Sequence, residues 1–134
     1  MSSAGADNET AVFPPTDDAP YESRSLVRNF LTDHDADDLV DIGLVLTSEL
    51  VTNVIRHAHS PVQLDLEWQA ETLRVEVRDG SSIIPAVAEL ANADGGFGLR
   101  LVDRLAADWG IRQLDDGKAV WFTVRREHPP GDSA

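Results

Sequence analysis

The sequence predicts an α+β two-layer sandwich, with helices on one face of a mixed, mostly antiparallel sheet. Two segments with helical apolar spacing come first, and paired segments of alternating apolar and polar residues follow them. A length of 134 residues suits one domain with its own core, and without cysteine that core forms without disulfides. We expect the domain to span residues 12–126, between a disordered acidic leader at 1–11 and a disordered tail at 127–134.

Two helices are predicted in the first half of the chain. The first begins at Pro20, whose fixed φ suits the first turn of a helix, and ends near His34. The second begins at the acidic residues 35–38, where carboxylates complement the helix dipole, and continues over 39–55. This second segment is apolar nearly all round, so we expect it to be buried on most of its surface.

Strands are predicted where apolar and polar residues alternate. Segments 62–67 and 73–78 have this period of two, and the link 70–72 is short enough for a hairpin, so we expect antiparallel neighbours. Val12-Phe13 is a candidate edge strand, because the two prolines that follow cannot donate to a sheet ladder.

The second half of the chain adds one helix and two strands. Residues 83–93 are small and apolar and predict a mobile loop, and the glycine-rich turn at 94–98 opens directly into a helix at 99–105. Strands are predicted around 109–114 and 120–124.

The charge balance excludes some functions. The chain has 11 Lys+Arg against 24 Asp+Glu, a net charge of −13, which disfavours nucleic acid and anionic membranes as partners. No apolar run approaches the roughly 18 residues of a membrane span, and the polar N-terminus does not look like a signal peptide. We therefore expect a cytoplasmic protein that binds neither nucleic acid nor membrane.

A polar stripe interrupts the second helix. Glu49, Asn53 and His57 are spaced four apart and would share one helix face. An amide oxygen suits Mg²⁺, and a carboxylate can take a proton from a hydroxyl. Polar residues at this spacing also occur on any amphipathic helix, but burying them without partners costs several kcal/mol. We therefore expect them to face a cavity, a ligand or water.

Two further features suit a nucleotide. Asp79 ends a predicted strand and could accept a hydrogen bond from an exocyclic amine such as that of adenine, although by itself it is better explained as a cap of its own turn. Gly95, Gly96 and Gly98 precede a helix, where backbone N–H groups attract phosphate, although such a turn is more often a flexible connection. The surrounding pattern fits neither a Rossmann motif nor a P-loop.

In their order, these motifs resemble a known family. Glu49-Leu-Val-Thr-Asn53-Val-Ile-Arg-His57, then Asp79, then Gly96-Phe-Gly98-Leu-Arg-Leu-Val102, are similar to the histidine-kinase-like (GHKL, Bergerat-fold) ATPases. The closer resemblance is to the anti-sigma-factor serine/threonine kinases and their small single-domain relatives, and it covers roughly residues 12–125. It implies the Bergerat fold and binding of ATP with Mg²⁺.

The resemblance also implies a role for each residue. Asn53 would bind the Mg²⁺ that bridges the phosphates, Glu49 would be the general base, and Asp79 would hold the adenine amine. Residues 80–95 would form the lid. The other residues of the implied nucleotide site are Gly80, Gly95, Gly96, Phe97, Gly98 and Leu99.

The sequence departs from the family in two places. Where the wider superfamily has Asp-x-Gly-x-Gly, the chain has Asp79-Gly-Ser-Ser-Ile, and no Lys or Arg occurs from Gly80 to Phe97. Many relatives place an arginine at or just before the glycine turn, and phosphoryl transfer relies on such charge. Arg100 and Lys118 are the candidates to supply it here.

Two functions follow from the resemblance. One is a kinase that phosphorylates a serine or threonine of an anti-sigma-factor antagonist and also sequesters a sigma factor. The other is a non-catalytic, ATP-binding interaction module; a fold that binds nothing is the third alternative. The acidic composition favours encounter with a basic partner such as a sigma-factor region. A homodimer, through the sheet edge near Val12-Phe13 or the first helix, is left open.

Overall fold

In the computed structural model, residues 7–81 and 99–127 are described. The elements are β1 (Asn8–Phe13), α1 (Ala19–Asp33), α2 (Val40–Asn53), β2 (Val62–Gln69), β3 (Thr72–Asp79), α3 (Leu99–Leu105), β4 (Asp108–Leu114) and β5 (Gly117–Arg125). A 3₁₀ turn, Asp37–Leu39, leads into α2, and a π-helical turn, Val54–Ala58, follows it. The helices pack against a five-stranded sheet, so the predicted two-layer sandwich is confirmed. The predicted loop at 83–93 and glycine turn at 94–98 lie outside the described residues.

The sheet has the strand order β1-β2-β3-β5-β4. Every pairing among the described strands is antiparallel, so the expectation of a mixed sheet is corrected. The chain crosses from β3 through α3 to β4, which runs parallel to β3. Because β5 then returns between these two strands, no parallel strands are neighbours.

Strand β1 is longer than its sequence predicts. It begins at Asn8 and pairs with β2 from Asn8↔Glu67 to Phe13↔Val62, so residues 8–11 belong to the sheet and not to a disordered leader. The hydroxyl of Thr10 also donates to the Asp65 carboxylate at 2.7 Å. A backbone ladder needs no apolar side chains, and a polar edge strand of this kind gives no alternating signal.

Helices α1 and α2 pack closely on each other. Helix α1 contains Pro20 in its first turn and ends before His34, as predicted. At Gly43 of α2, a Cβ atom would lie 3.2 Å from Leu31 and 3.5 Å from Val27, side chains of α1. Glycine at this position therefore allows the close approach of the two helices.

The polar stripe on α2 ends at Asn53. The π-helical turn is closed by the N–H of His59, which donates to the carbonyl of Val54 at 3.0 Å, and His59 has a φ of 51°. A π turn holds more residues than an α turn, so it changes the angle between Asn53 and His57 around the helix axis. His57 is exposed and therefore faces water, which agrees with the expectation for this stripe.

The core fills the space between the helices and the inner face of the sheet. On β3, Leu73, Val75 and Val77 face inward, and Val120, Phe122 and Val124 do so on β5. The helices contribute the other large side chains, chiefly Val27, Phe30, Leu31, Leu46, Leu50, Val51, Leu99 and Val102. Within the described part of the chain, no helix is long and apolar enough to cross a membrane.

The outer face of the sheet holds a cluster of charges around Glu76. Its carboxylate lies 2.8 Å from Arg78, 2.9 Å from Arg112 and 3.1 Å from Arg74. Burial alone would raise the pKa of Glu76, but hydrogen bonds from Arg78 and Arg74 and the charge of Arg112 together hold this pKa below its usual value. Glu76 is therefore a buried carboxylate stabilised by three cations.

A second cluster of charges lies around Arg126, directly after β5. The buried Arg126 donates to Asp38 at 2.6 Å and to Glu71 at 2.9 Å, and it also bonds the carbonyl of Asp35. The hydrogen bond from Arg126 holds the pKa of Asp38 below its usual value. The cluster thus fastens the chain after β5 to the start of α2 and to the β2–β3 hairpin.

The β2–β3 hairpin closes through only two residues, Ala70 and Glu71. Gln69 and Thr72 form the last pair of the ladder, so the link is one residue shorter than predicted. Ala70 has a φ of 53° and Glu71 a φ of 58°, the left-handed values at both central positions that a type I′ turn requires.

Candidate functional site

A small cavity at the C-terminal end of α2 brings together residues that the sequence analysis selected. It lies between α2, α3 and the inner face of the sheet, and it is lined by Leu50, Asn53, Val54, Val77, Asp79, Leu99, Lys118 and Val120. Three predicted site residues, Asn53, Asp79 and Leu99, therefore meet in one place although they are far apart in sequence.

The helices supply one side of the cavity. Asn53 is the last residue of α2 and is half-buried, since Leu50 and Val54 around it pack into the core. Leu99 is the first residue of α3 and is only 2% exposed. Glu49 lies one turn before Asn53 on α2, half-buried, and is not among the residues that line the cavity.

The sheet supplies two opposite charges. Asp79 continues the inward-facing series of β3, and Lys118 stands opposite it on β5. The Lys118 ammonium nitrogen lies 3.1 Å from Oδ1 and 3.0 Å from Oδ2 of Asp79, and the two side chains are 5% and 2% exposed. A charge that is so deeply buried is costly unless it is paired, so each side chain depends on the other.

Asp79 also caps its own turn. The N–H of Ser81 donates to Asp79 Oδ1 at 2.8 Å, as the simpler interpretation of this residue predicts. A carboxylate has about four acceptor positions on its two oxygens. Of the described residues, Ser81 and Lys118 contact these oxygens, which leaves acceptor positions that a further donor, such as the amine of a ligand, could use.

The backbone around Asp79 is held from two sides. The N–H of Gly80 donates to the hydroxyl of Ser60 at 2.9 Å, which ties the end of β3 to the segment after α2. On the other side, a Cβ atom at Gly117 would lie 1.9 Å from the carbonyl oxygen of Asp79, so only glycine fits there. Asp79 thus has a fixed position at the floor of the cavity.

The donor set around Asn53 suits a nucleotide-bound Mg²⁺. Within residues 7–81 and 99–127, no group of three or more His, Cys, Asp or Glu could hold a metal ion. Mg²⁺ is usually held by one or two carboxylates together with phosphate oxygens and water. Asn53 offers a single neutral oxygen, so an ion there would depend mainly on a ligand and on water. The residues present therefore fit the ion only together with a nucleotide.

The cavity is small. Its volume is about 20 Å³, which is room for about one water molecule. A larger ligand would have to displace side chains at its mouth. The predicted phosphate-binding residues Gly95, Gly96, Phe97 and Gly98 and most of the predicted lid lie outside the described residues, so their roles stay predictions.

The pairing of Lys118 with Asp79 is not predicted by the sequence. Lys118 and Arg100 are both candidates for charge near the phosphates, but Lys118 is buried against Asp79, whereas Arg100 is exposed at the start of α3. A signal was present: Asp79 and Lys118 each extend an alternating series of inward-facing apolar residues by one polar member.

Comparison with known proteins gives a family and a fold. The family model described as the histidine kinase-like ATPase domain matches residues 13–124. No curated protein matches the chain. Solved structures that match include the crystal structure of the RsbU and RsbW domains of Rv1364c from Mycobacterium tuberculosis, at 18% identity and a TM-score of 0.64. That match covers 90% of this chain and 32% of the other, so the chain spans about one third of the solved chain, and at this identity the likeness concerns the fold.

Proposed function

The chain belongs to the family of histidine kinase-like ATPase domains, and from this premise we propose that it is an ATP-binding regulator of the anti-sigma-factor kinase kind. The observation that carries the proposal is the meeting of Asn53 and Asp79 in one cavity. In that arrangement, a carboxylate suited to a base amine and an amide suited to Mg²⁺ lie at the two sides of a single site.

The proposed roles follow the positions of the side chains. Asp79, whose side chain lines the cavity, would accept the adenine amine at its floor. Asn53 would hold the Mg²⁺ that neutralises phosphate charge when the nucleotide is bound. Glu49, one helical turn away and half-buried, would accept the proton of the attacking hydroxyl.

The first proposed activity is phosphoryl transfer to a serine or threonine of an anti-sigma-factor antagonist, together with sequestration of a sigma factor. Its support is the residue-by-residue resemblance of the α2 motif to the anti-sigma-factor kinases. Because Lys118 is engaged with Asp79, Arg100 is the remaining candidate for charge near the phosphates, exposed and directly after Leu99. The net charge of −13 supports a basic protein surface as the partner.

A second candidate is a non-catalytic module that binds ATP and a protein partner in the cytoplasm. The observation that favours it is the absence of Lys and Arg from Gly80 to Phe97. Phosphoryl transfer depends on positive charge placed at the transferring group. This candidate predicts ATP-dependent capture of a sigma factor or an antagonist without consumption of ATP.

Nucleotide binding is the first test. We expect ATP with Mg²⁺ to raise the melting temperature of the wild type, and we expect Asn53→Ala to remove the part of the increase that depends on Mg²⁺. Asn29→Ala, on the exposed side of α1, is the matched control and should behave as the wild type. No increase at millimolar ATP would contradict both candidate functions.

Phosphoryl transfer separates the two candidates. Radiolabelled ATP is incubated with the protein and a cognate antagonist. Label on the antagonist that Glu49→Gln abolishes supports the kinase, while ATP binding without transfer supports the non-catalytic module. Transfer that Glu49→Gln leaves unchanged would rule out the proposed role of Glu49 as general base.

A further inference from the structure

We propose that Lys118 is a positioning residue for nucleotide binding, which holds the Asp79 carboxylate directed into the cavity so that it can accept the amine of an adenine base. The inference rests on the proposed function, because it assumes that Asp79 contacts the base. It adds a role for a residue that has no part in the proposed chemistry.

Lys118 is an unusually placed basic residue. It is the only lysine of the chain, and the other ten of the 11 basic residues are arginines. Its side chain is 5% exposed. Lysine is almost never buried to this degree without a partner, and here the partner is the carboxylate that the proposed site requires.

Among the described residues, the surroundings of Asp79 and Lys118 in the cavity are otherwise uncharged. Of the described residues that line the cavity, only Asp79 and Lys118 are titratable, and Asn53 on α2 is neutral. The other lining residues, from α2, α3, β3 and β5, are apolar. The orientation of the Asp79 carboxylate in this cavity therefore depends on the ammonium group of Lys118, which contacts both of its oxygens.

The consequence concerns the orientation of the carboxylate. Without the ammonium group, Asp79 loses the contact that holds both of its oxygens in place. Removal of Lys118 should therefore weaken nucleotide binding. A pair that served only to stabilise the fold would change the stability of the protein and leave the ADP affinity of the folded protein unaltered.

The single lysine allows a direct measurement on the wild type. Protein that is labelled only in lysine with ¹⁵N and ¹³C gives one NMR signal for a side-chain Nζ atom, that of Lys118. ADP is then added to saturation. We expect this signal to shift on binding, because the amine of the base joins Lys118 on Asp79. A signal that is unaffected by saturating ADP would overturn the inference.

The second experiment measures ADP affinity by calorimetry at a temperature where each variant is folded. We expect Lys118→Met to bind ADP about tenfold more weakly than the wild type. Arg125→Met removes an equal charge from an exposed position of β5 and is the matched control, with the wild-type affinity. Equal or tighter binding by Lys118→Met would overturn the inference.

A further variant covers the case in which Lys118→Met does not fold. The double variant Asp79→Asn with Lys118→Met buries no charge, so it should fold and bind ADP weakly. Wild-type ADP affinity in the double variant would contradict the inference. If the wild type itself does not bind ADP, the proposed function and the inference are both wrong; wild-type binding with an unaltered ADP affinity in Lys118→Met overturns the inference alone.

Discussion

The N–H of Gly80 donates a hydrogen bond of 2.9 Å to the hydroxyl of Ser60, and this contact joins the strand that carries Asp79 to the segment that follows Asn53. We expect Ser60→Ala to lower the free energy of unfolding by about 0.5–1.5 kcal/mol and to weaken ADP binding several-fold. Urea denaturation and calorimetry measure the two effects. Ser25→Ala, at an exposed position of α1, should change neither quantity; ADP affinity of wild-type strength in Ser60→Ala would contradict the prediction.

Gly117 and Gly80 form a matched pair of glycine tests. A Cβ atom at Gly117 would lie 1.9 Å from the Asp79 carbonyl, whereas at Gly80 the nearest atom, Cβ of Ser60, would be 3.5 Å away. We expect Gly117→Ala to cost about 1–3 kcal/mol of stability by forcing the strands apart, and Gly80→Ala to cost much less. Thermal unfolding of both variants measures the difference in stability. Equal melting temperatures would contradict the prediction, because they would show that the strands accommodate the Cβ atom at Gly117 without loss of stability.

Glu76 should contribute stability that depends on pH. Its folded-state pKa lies below the ordinary value of 4.5, so its contribution is present above that value and is lost as the pH falls through the folded-state pKa. We expect Glu76→Gln to be less stable than the wild type at pH 7, and the difference to shrink below about pH 4.5. Urea denaturation along a pH series measures this, and a difference that stays constant down to pH 3 would count against the cluster.

Arg126 should matter more than its neighbour Arg125. The guanidinium of Arg126 is buried and contacts two carboxylates and a carbonyl, while Asp38 and Glu71 are half-exposed and can be hydrated again. We therefore expect Arg126→Met to cost about 1–3 kcal/mol, less than a fully buried pair would lose. The control is Arg125→Met, at an exposed position, and chemical denaturation measures the free energy of unfolding of both variants. Equal free energies would contradict the prediction, because the cluster would then contribute no measurable stability.

The sequence predicts the elements of this fold better than their arrangement. Alternation of apolar and polar residues locates β2, β3 and β5, and helical spacing locates α1 and α2. The pairing of β3 with β5 is a long-range relationship, and an alternating pattern does not say which strand a segment adjoins. For this reason Asp79 and Lys118 are each predicted as site candidates from the sequence, but their position opposite each other on β3 and β5 is not.

The π-helical turn after α2 is a second feature that the sequence does not predict. The spacing of Glu49, Asn53 and His57 is correct for an α-helix, but the helix changes to a π turn directly after Asn53. No residue between Val54 and Ala58 is a glycine or a proline that would mark this change. The part of the site that sequence could predict is therefore the set of residues within regular elements, Asn53, Asp79 and Leu99.

The two-residue turn at Ala70 and Glu71 has an implication for engineering. Both residues hold a positive φ, which L side chains other than Asn and Asp adopt at a cost. Glu71 keeps this conformation while binding Arg126, whereas Ala70 is exposed and has room for a larger side chain. Ala70→Asn should therefore add roughly 0.5–1 kcal/mol of stability, so the hairpin offers a thermostabilised background in which damaging site variants can be studied as folded proteins.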